Sequence, residues 1–540
     1  MSGTRVTATA GGSQRDTASS RGPVAGRAWF TPVGAVIAGF TLLGLGLRLY
    51  LLSRPGYLLG VTQYDDGPYF GSALRLVHGA VPYRDFIIVP PPGITLLMSP
   101  AALLAQVTGT AWAMAVGRIL TVAASAAGIL MVGLLARHRG VLAVTLACGI
   151  LAIFPGSLVA AHTVLLEPWL TLFCLAGALA VVDRDRLASG RRLFWGGVAF
   201  GFAGTVEVWA IIPVVVLAVL LIRQVRRAAL FIAGVAAGFA VPVIPFAALA
   251  PARFYQSVFA SQLFRVVPVR TPLEYRLKLM TGLAKLLHLG STGVLVVSLA
   301  IVGFVAGALV AAWLISRRPP AALDWFAVGT CVLVVVAFLW YAQFFLHFPA
   351  FLGPFLGLSV GLAASRLVMA IQPAAARRGI GPWAQWSVVG LAAAVVVVLA
   401  VQQGQAETST KPRVSPAAIT RVQRIVRPGA CVVTDQVSFT IAANRFSSDV
   451  PGCSQMVDAI GTDYALGHGR DASTGAARFP AVDATWRSAF HHAQYVWLSV
   501  RYNRRRIAWT PALRSYFRDH FSPVLRDGKH DVLYARKPAG

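Results

Sequence analysis

Charge is scarce in this chain. Only 13% of its 540 residues are Asp, Glu, Lys or Arg, 56% are hydrophobic, and the mean hydropathy is +0.67. A soluble globule is excluded, because no compact domain has that much interior to fill, and the apolar residues must face lipid. Acids are scarcest, 20 against 48 Lys and Arg, for a net charge of +28. That balance would suit nucleic acid if the basic residues formed one stripe beside aromatics. They sit instead in short clusters between apolar runs, the positive-inside pattern, so no nucleic-acid partner is expected. The chain has no Walker-type loop, no Cys-x-x-Cys pair and no regular metal-ligand spacing, which argues against nucleotide hydrolysis and a structural zinc. Cysteine is rare too. Of five, Cys148, Cys174 and Cys331 lie in apolar runs, while Cys431 and Cys453 lie in the polar C-terminal segment. If that segment is extracytoplasmic these two can form a disulfide, and two free thiols are the alternative.

What the chain has in quantity is apolar runs near the ~20 residues a helix needs to cross a bilayer. Residues 1–28 are rich in Ser, Thr, Gly and Arg without periodicity and read as a disordered cytoplasmic tail. The run 33–52 is too long for a signal-peptide core and reads as a retained anchor. Lys and Arg in short loops orient the rest, with cytoplasmic turns at 137–139, 184–192, 223–227, 317–318 and 377–378. Spans are expected at 112–136, 141–159, 164–182, 227–249, 292–315, 325–345, 348–367 and 383–401. Residues 193–222, basic at both ends and interrupted at Gly204–Glu207, read as a hairpin of two short helices. The expectation is an all-α polytopic membrane bundle of about 11 membrane helices over 29–403, N-terminus inside and C-terminus outside. Its long first outer loop is 53–110, within which 94–107 is apolar but short enough to lie at the interface. From 404 to 540 the apolar runs shrink to strand length, predicting an extracytoplasmic α/β domain with a late hairpin over 521–535 at Asp527-Gly528.

The chemistry concentrates on the expected outer face. Tyr64-Asp65-Asp66-Gly67-Pro68-Tyr69 leads through Pro82-Tyr83-Arg84-Asp85-Phe86 to Pro90-Pro91-Pro92-Gly93. Two adjacent carboxylates beyond a span, followed by a proline-stiffened return, make an acidic corner that can hold a lipid headgroup or take a proton from an acceptor hydroxyl. The plainer reading is that the pair caps the helix that follows. Glu167, with His162 before it, is expected at the same depth, although Glu followed by Pro168 is also ordinary first-turn composition. Glu207 lies in the broken hairpin, as a site group or half of a structural ion pair. His347 falls at an outer break between spans, where a structural role is the commoner one. Arg253, Arg265, Arg270, Arg276 and Lys278 form a basic outer loop suited to a phosphate leaving group, with snorkelling to the interface as the alternative.

These motifs resemble an actinobacterial branch of the GT-C glycosyltransferase superfamily, the group that includes protein O-mannosyltransferases and aminoarabinose transferases. The resemblance rests on Asp65-Asp66-Gly67 with Tyr69, Pro82–Phe86, Pro91-Pro92-Gly93, Leu166-Glu167-Pro168 and His347-Phe348-Pro349, and covers nearly the whole membrane region. It implies a multi-pass plasma (inner) membrane enzyme moving a sugar from a polyprenyl-phosphate donor to a cell-envelope glycan, lipid or protein, with inversion. It implies catalytic Asp65, Asp66 and Glu167, with Asp65 the base, and donor or acceptor contacts from Tyr69, Arg84, His162, Glu207, Arg265, Arg270 and His347. A divalent metal is left open, with Asp65 and Glu167 its ligands if there is one. One departure stands out: Glu207 precedes Val208-Trp209 where such proteins often place a lysine for the donor phosphate. A transporter of lipid-linked sugar and a catalytically silent envelope-assembly protein are the rival readings, although transporters tend to carry repeated halves and midplane charges.

Overall fold

The structure is a computed structural model that describes residues 31–284, 286–379, 381, 383–407, 414–454, 456–500, 506–527 and 531–538. The tail expected at 1–28 lies outside the described residues. Among the described residues seven helices are long and apolar enough to cross a membrane, eight when a bent pair is counted as one span. The helices used below, long and short, are α1 (Pro32–Leu52), α2 (Asp66–Val77), α3 (Gly93–Leu103), α4 (Thr110–Ala136), the bent pair α5 (Val141–Ile153) and α6 (Pro155–Ala161), α7 (Glu167–Val181) and α8 (Arg191–Val206). They are followed by α9 (Val225–Leu249), α10 (Ala322–Trp340) and α11 (Pro349–Arg377).

One expected span is shorter than supposed: the run 164–182 yields only the 15 residues of α7. The hairpin 193–222 is formed, as expected, by two short helices, the 16-residue α8 and one over Val208–Leu221. At 1.5 Å per residue, 15 residues reach about 22 Å, short of the ~30 Å hydrocarbon core. The first loop, too, is largely helical, since α2 and α3 lie within it.

The run 141–159 is bent by 53° between α5 and α6. Pro155 has no N–H, so the Leu151 carbonyl one turn earlier loses its helical donor. Arg48, buried near the C-terminal end of α1, donates to Leu151 O at 3.4 Å and to Ala152 O at 3.0 Å, and to Ser125 Oγ at 2.8 Å. A charge in a span is thereby spent on carbonyls that a proline released. Elsewhere the bundle closes on small residues. A Cβ on Gly197 or Gly201 of α8 would collide with the backbone of α9, and one on Gly234 or Gly238 of α9 with the backbone of α8. Two glycines four apart on each helix permit this contact, the small-xxx-small geometry of membrane helices.

Two of the expected basic turns, 137–139 and 184–192, meet. Arg139 and Arg366 both pair with buried Asp324, at 3.0 and 2.8 Å, and Asp185 joins from the 184–192 turn, 2.7 Å from Arg139.

Residues after 414 build helix α12 (Pro416–Ile425), strand β1 (Val432–Thr434), helices α13 (Val437–Ala442), α14 (Ala459–Leu466) and α15 (Pro480–His492), and strand β2 (Tyr495–Leu498). Strands β3 (Phe521–Asp527) and β4 (Asp531–Arg536) complete a four-stranded sheet in the order β1-β2-β4-β3. β1 and β2 are parallel, joined by the three helices, and the other pairings are antiparallel. Trp486, Phe490 and Phe517 fill its core. The sulfurs of Cys431 and Cys453 are bonded, with the Cα atoms 5.7 Å apart.

This region is clamped to the first loop. Ser438 of α13 approaches α2 so closely that a Cβ on Gly67 would collide with its backbone, which accounts for glycine after the acid pair. Gln436 Nε2 donates to Gln63 O at 2.9 Å, and Asn444 Oδ1 accepts from Ala111 N at 2.9 Å, capping the start of α4.

Candidate functional site

The adjacent acids divide. Asp65 occupies the N-cap position of α2, yet its side chain makes no cap hydrogen bond, so the plain capping reading fails for it. Its carboxylate is 33% exposed and lies 3.5 Å from His347 Nε2. Asp66, one residue on and rotated about 100° around the helix, has no exposed surface. Its Oδ2 accepts from Arg118 Nη2 at 3.0 Å and Thr163 Oγ1 at 2.6 Å, and its Oδ1 from Ser438 Oγ at 2.6 Å. With both oxygens engaged and buried, Asp66 faces packing partners, a correction to its expected place beside Asp65 in a shared catalytic pair.

His347 joins Asp65 to Glu167: its Nδ1 is hydrogen-bonded to Glu167 Oε1 and its Nε2 faces Asp65. The imidazole plane is set by Phe345, stacked at 5.7 Å, and Phe348, edge-on at 5.3 Å. Burial alone would lower the pKa of His347, but Glu167 and Asp65 together raise it well above the ordinary value. Glu167 is 1% exposed, and its Oε2 is buried without a hydrogen-bond partner among the described residues. Glu207, at the break after α8, also has a buried, unpartnered Oε2, and it feels the charges of Glu167, His347 and Asp65.

Each group comes from the end of a helix. Asp65 precedes α2, Glu167 opens α7, Glu207 closes α8 and His347 lies just before α11. Breaks at Pro168 and Pro349, and at the extended residue Glu207, put these side chains where backbone groups are no longer all used by a helix. Trp209 packs edge-on against Phe338, Tyr341 and Phe348 beneath them.

Of the other sequence candidates, Tyr69 lies one turn along α2 from Asp65 and feels Asp65, Glu167 and Glu207. Arg265 donates to Gln343 Oε1 at 2.7 Å and lies 4.1 Å over the ring of Tyr464. Three do not join the cluster. Arg84 is exposed and paired with its neighbour Asp85 at 2.8 Å. His162 packs edge-on against Tyr57 at 5.5 Å. Arg270 is bound to the last carbonyls of α10, Leu339 O at 2.9 Å and Trp340 O at 2.7 Å. Among the described residues no group of three or more His, Cys, Asp or Glu is arranged to hold a metal ion. His347 stands between Asp65 and Glu167, the two carboxylates named above as ligands of a metal, hydrogen-bonded to Glu167 and 3.5 Å from Asp65.

Two contributors were missed. Arg118, alone in the apolar run of α4, holds Asp66, and a lone arginine inside a span is a signal in its own right. Asp458, at the start of α14, is buried and accepts from Tyr64 Oη at 3.1 Å and Gly461 N at 2.8 Å. Its pKa is pushed up to about 6, first by burial and also by Asp65, against the hydrogen bonds from Gly461 and Tyr64 and the charge of Arg265.

No protein-family profile and no curated protein sequence matches the chain. Solved structures do. ArnT from Cupriavidus metallidurans in the apo state superposes with a TM-score of 0.57 at 15% identity, over 94% of this chain and 98% of that one. The same protein bound to undecaprenyl phosphate gives 0.56 at 16%, over 94% and 99%. The Archaeoglobus fulgidus oligosaccharyltransferase AglB, in complex with an inhibitory peptide and a dolichol phosphate, gives 0.44 at 12%, over 95% and 75%. The chain has the fold of ArnT.

Proposed function

We propose that this protein transfers a sugar from a polyprenyl-phosphate donor to a cell-envelope acceptor, with inversion and with Asp65 as general base. The observation that carries the reading is the chain Asp65···His347···Glu167, three side chains from three helix ends in one acidic cluster. Its support from fold is the likeness to a structure bound to undecaprenyl phosphate. Asp65 takes the proton of the acceptor hydroxyl, the oxygen attacks the anomeric carbon, and the bond from that carbon to the phosphate oxygen breaks to release polyprenyl phosphate. Glu167 orients His347, which in turn fixes Asp65. Arg265 is the cation nearest in role to the phosphate, because Glu207 stands where a lysine would otherwise serve. The same reading takes the membrane as the plasma membrane, the N-terminus as cytoplasmic, the bundle as about eleven membrane helices with the short ones counted, and residues 404–540 as an extracytoplasmic α/β domain.

The buried Oε2 of Glu207, without a hydrogen-bond partner among the described residues, favours one rival, movement of lipid-linked sugar across the bilayer. The test is incorporation of radiolabelled sugar from a panel of polyprenyl-phosphate sugars into membranes carrying wild type or Asp65→Asn at matched expression. A new glycosidic product, reduced about 10²- to 10⁴-fold in Asp65→Asn, is expected of a lost general base. Sugar that crosses the bilayer without a new bond would establish the transporter instead.

A further inference from the structure

A cavity of about 400 Å³ lies away from the acids, as a groove between the loop after α1, the start of α4 and one face of α12. Leu58, Leu59, Trp112 and Ile419 give it an apolar lining, while Arg54 and Gln423 give it a cation and an amide. Its volume falls in the range of small-molecule sites, roughly 300 to 1,000 Å³. Its place fixes its surroundings. Arg54 follows the last residue of α1 by two positions, and Trp112 is the third residue of α4. Both helices are long and apolar enough to cross a membrane, so the groove opens where two spans leave the bilayer. Trp112 is 53% exposed and Leu59 38%, an apolar lip at the level where tryptophan and basic side chains anchor membrane proteins.

We propose that this groove is a second site, distinct from the acidic cluster, that binds one anionic glycerophospholipid. Its acyl carbons lie along Leu58, Leu59 and Trp112, and its phosphate turns to Arg54. The groove wall is tied to the loop that delivers Asp65. Arg118 donates to Tyr57 O at 2.8 Å, Leu58 O at 2.7 Å and Gly60 O at 2.9 Å, and the same guanidinium holds Asp66. A lipid seated against residues 56–60 therefore braces the segment leading into α2, and its binding stabilises the folded protein by mass action.

The test uses the full-length protein in detergent, titrated with dioleoyl phosphatidylglycerol or dioleoyl phosphatidylcholine, with retained lipid counted by native mass spectrometry and melting temperature followed in parallel. Wild type is expected to retain one phosphatidylglycerol, about fivefold in preference to phosphatidylcholine, the order expected of one basic residue at an anionic headgroup. Arg54→Gln should erase the preference. Thr420→Trp, on the exposed groove face of α12, should abolish retention while the gel-filtration profile stays that of wild type. Equal retention of the two lipids by wild type, or undiminished phosphatidylglycerol binding by a folded Thr420→Trp, would overturn the proposal. Neither readout depends on turnover, so the result is independent of the transferase reading.

Discussion

Arg118 Nη2 lies 3.0 Å from Asp66 Oδ2 with both side chains buried, a charge pair formed between a membrane-span residue and the helix that carries the exposed acid Asp65. Ser438 closes the other side of the Asp66 carboxylate, so three parts of the chain far apart in sequence meet on one group. Removing one member of such a pair leaves the other charge buried and uncompensated. Arg118→Met and Asp66→Ala should each lower stability by about 3–5 kcal/mol, while Asp65→Asn, which touches a third-exposed carboxylate, should change it by less than about 1 kcal/mol. Thermal melts of the three variants in one detergent test this, and a strongly destabilised Asp65→Asn would refute the division between the two acids.

Glu167 is hydrogen-bonded to the imidazole of His347, so substitutions of these two residues should not add. If Glu167 serves by orienting His347, then Glu167→Gln and His347→Gln each slow transfer, and the double variant is little slower than His347→Gln alone. The double-mutant cycle, read as transfer rate under matched protein levels, should give a coupling of about 1–3 kcal/mol. Fully additive losses would mean that Glu167 reaches the substrate by its own path.

What could be read in advance follows from which interactions are local. Apolar runs announce themselves residue by residue, which is why the long helices were legible, whereas the ion pairs of Arg139 with Asp185 and Asp324 were not. The difference between Asp65 and Asp66 was not. It depends on which way α2 is rotated, and the rotation is set by Arg118, Thr163 and Ser438, the last 372 residues away. His347 looked structural because its two carboxylate partners come from other helices. Pro155 and the glycines of α8 and α9 were plain in the sequence, but their meaning, a bent span and a backbone contact, required the neighbouring helix.

The Cys431–Cys453 bond closes a short loop, with a sequence separation of 22. In the chain-entropy account a loop of that length contributes about 3 kcal/mol, chiefly by restricting the unfolded chain. Alkylation of unfolded, unreduced protein should therefore label three cysteines, and Cys431→Ser with Cys453→Ser should melt several degrees lower than wild type. Five labelled thiols in protein isolated from membranes would place this segment in a reducing compartment and contradict its extracytoplasmic assignment.

Asp458 supplies the pH dependence. Its folded pKa of about 6 stands above the ~3.9 of an unfolded aspartate, so the folded state binds the extra proton between those values. Its stabilising contribution is complete below about pH 4 and is lost as pH rises through 6, a change of about 3 kcal/mol for a shift of roughly two units. The groups facing it are Tyr64 and Asp65 from the first loop, Arg265 from the segment before α10, and Gly461 N and Asp463 on its own helix. Asp458→Asn keeps an acceptor for Tyr64 and Gly461 but cannot ionise. Compared with wild type it should be relatively more stable at pH 7 than at pH 4, with the difference developing between pH 4 and 6.5. A wild-type and Asp458→Asn difference that stays flat across that interval would mean that the buried carboxylate has its ordinary pKa, and that solvent or a further cation reaches it in the folded protein.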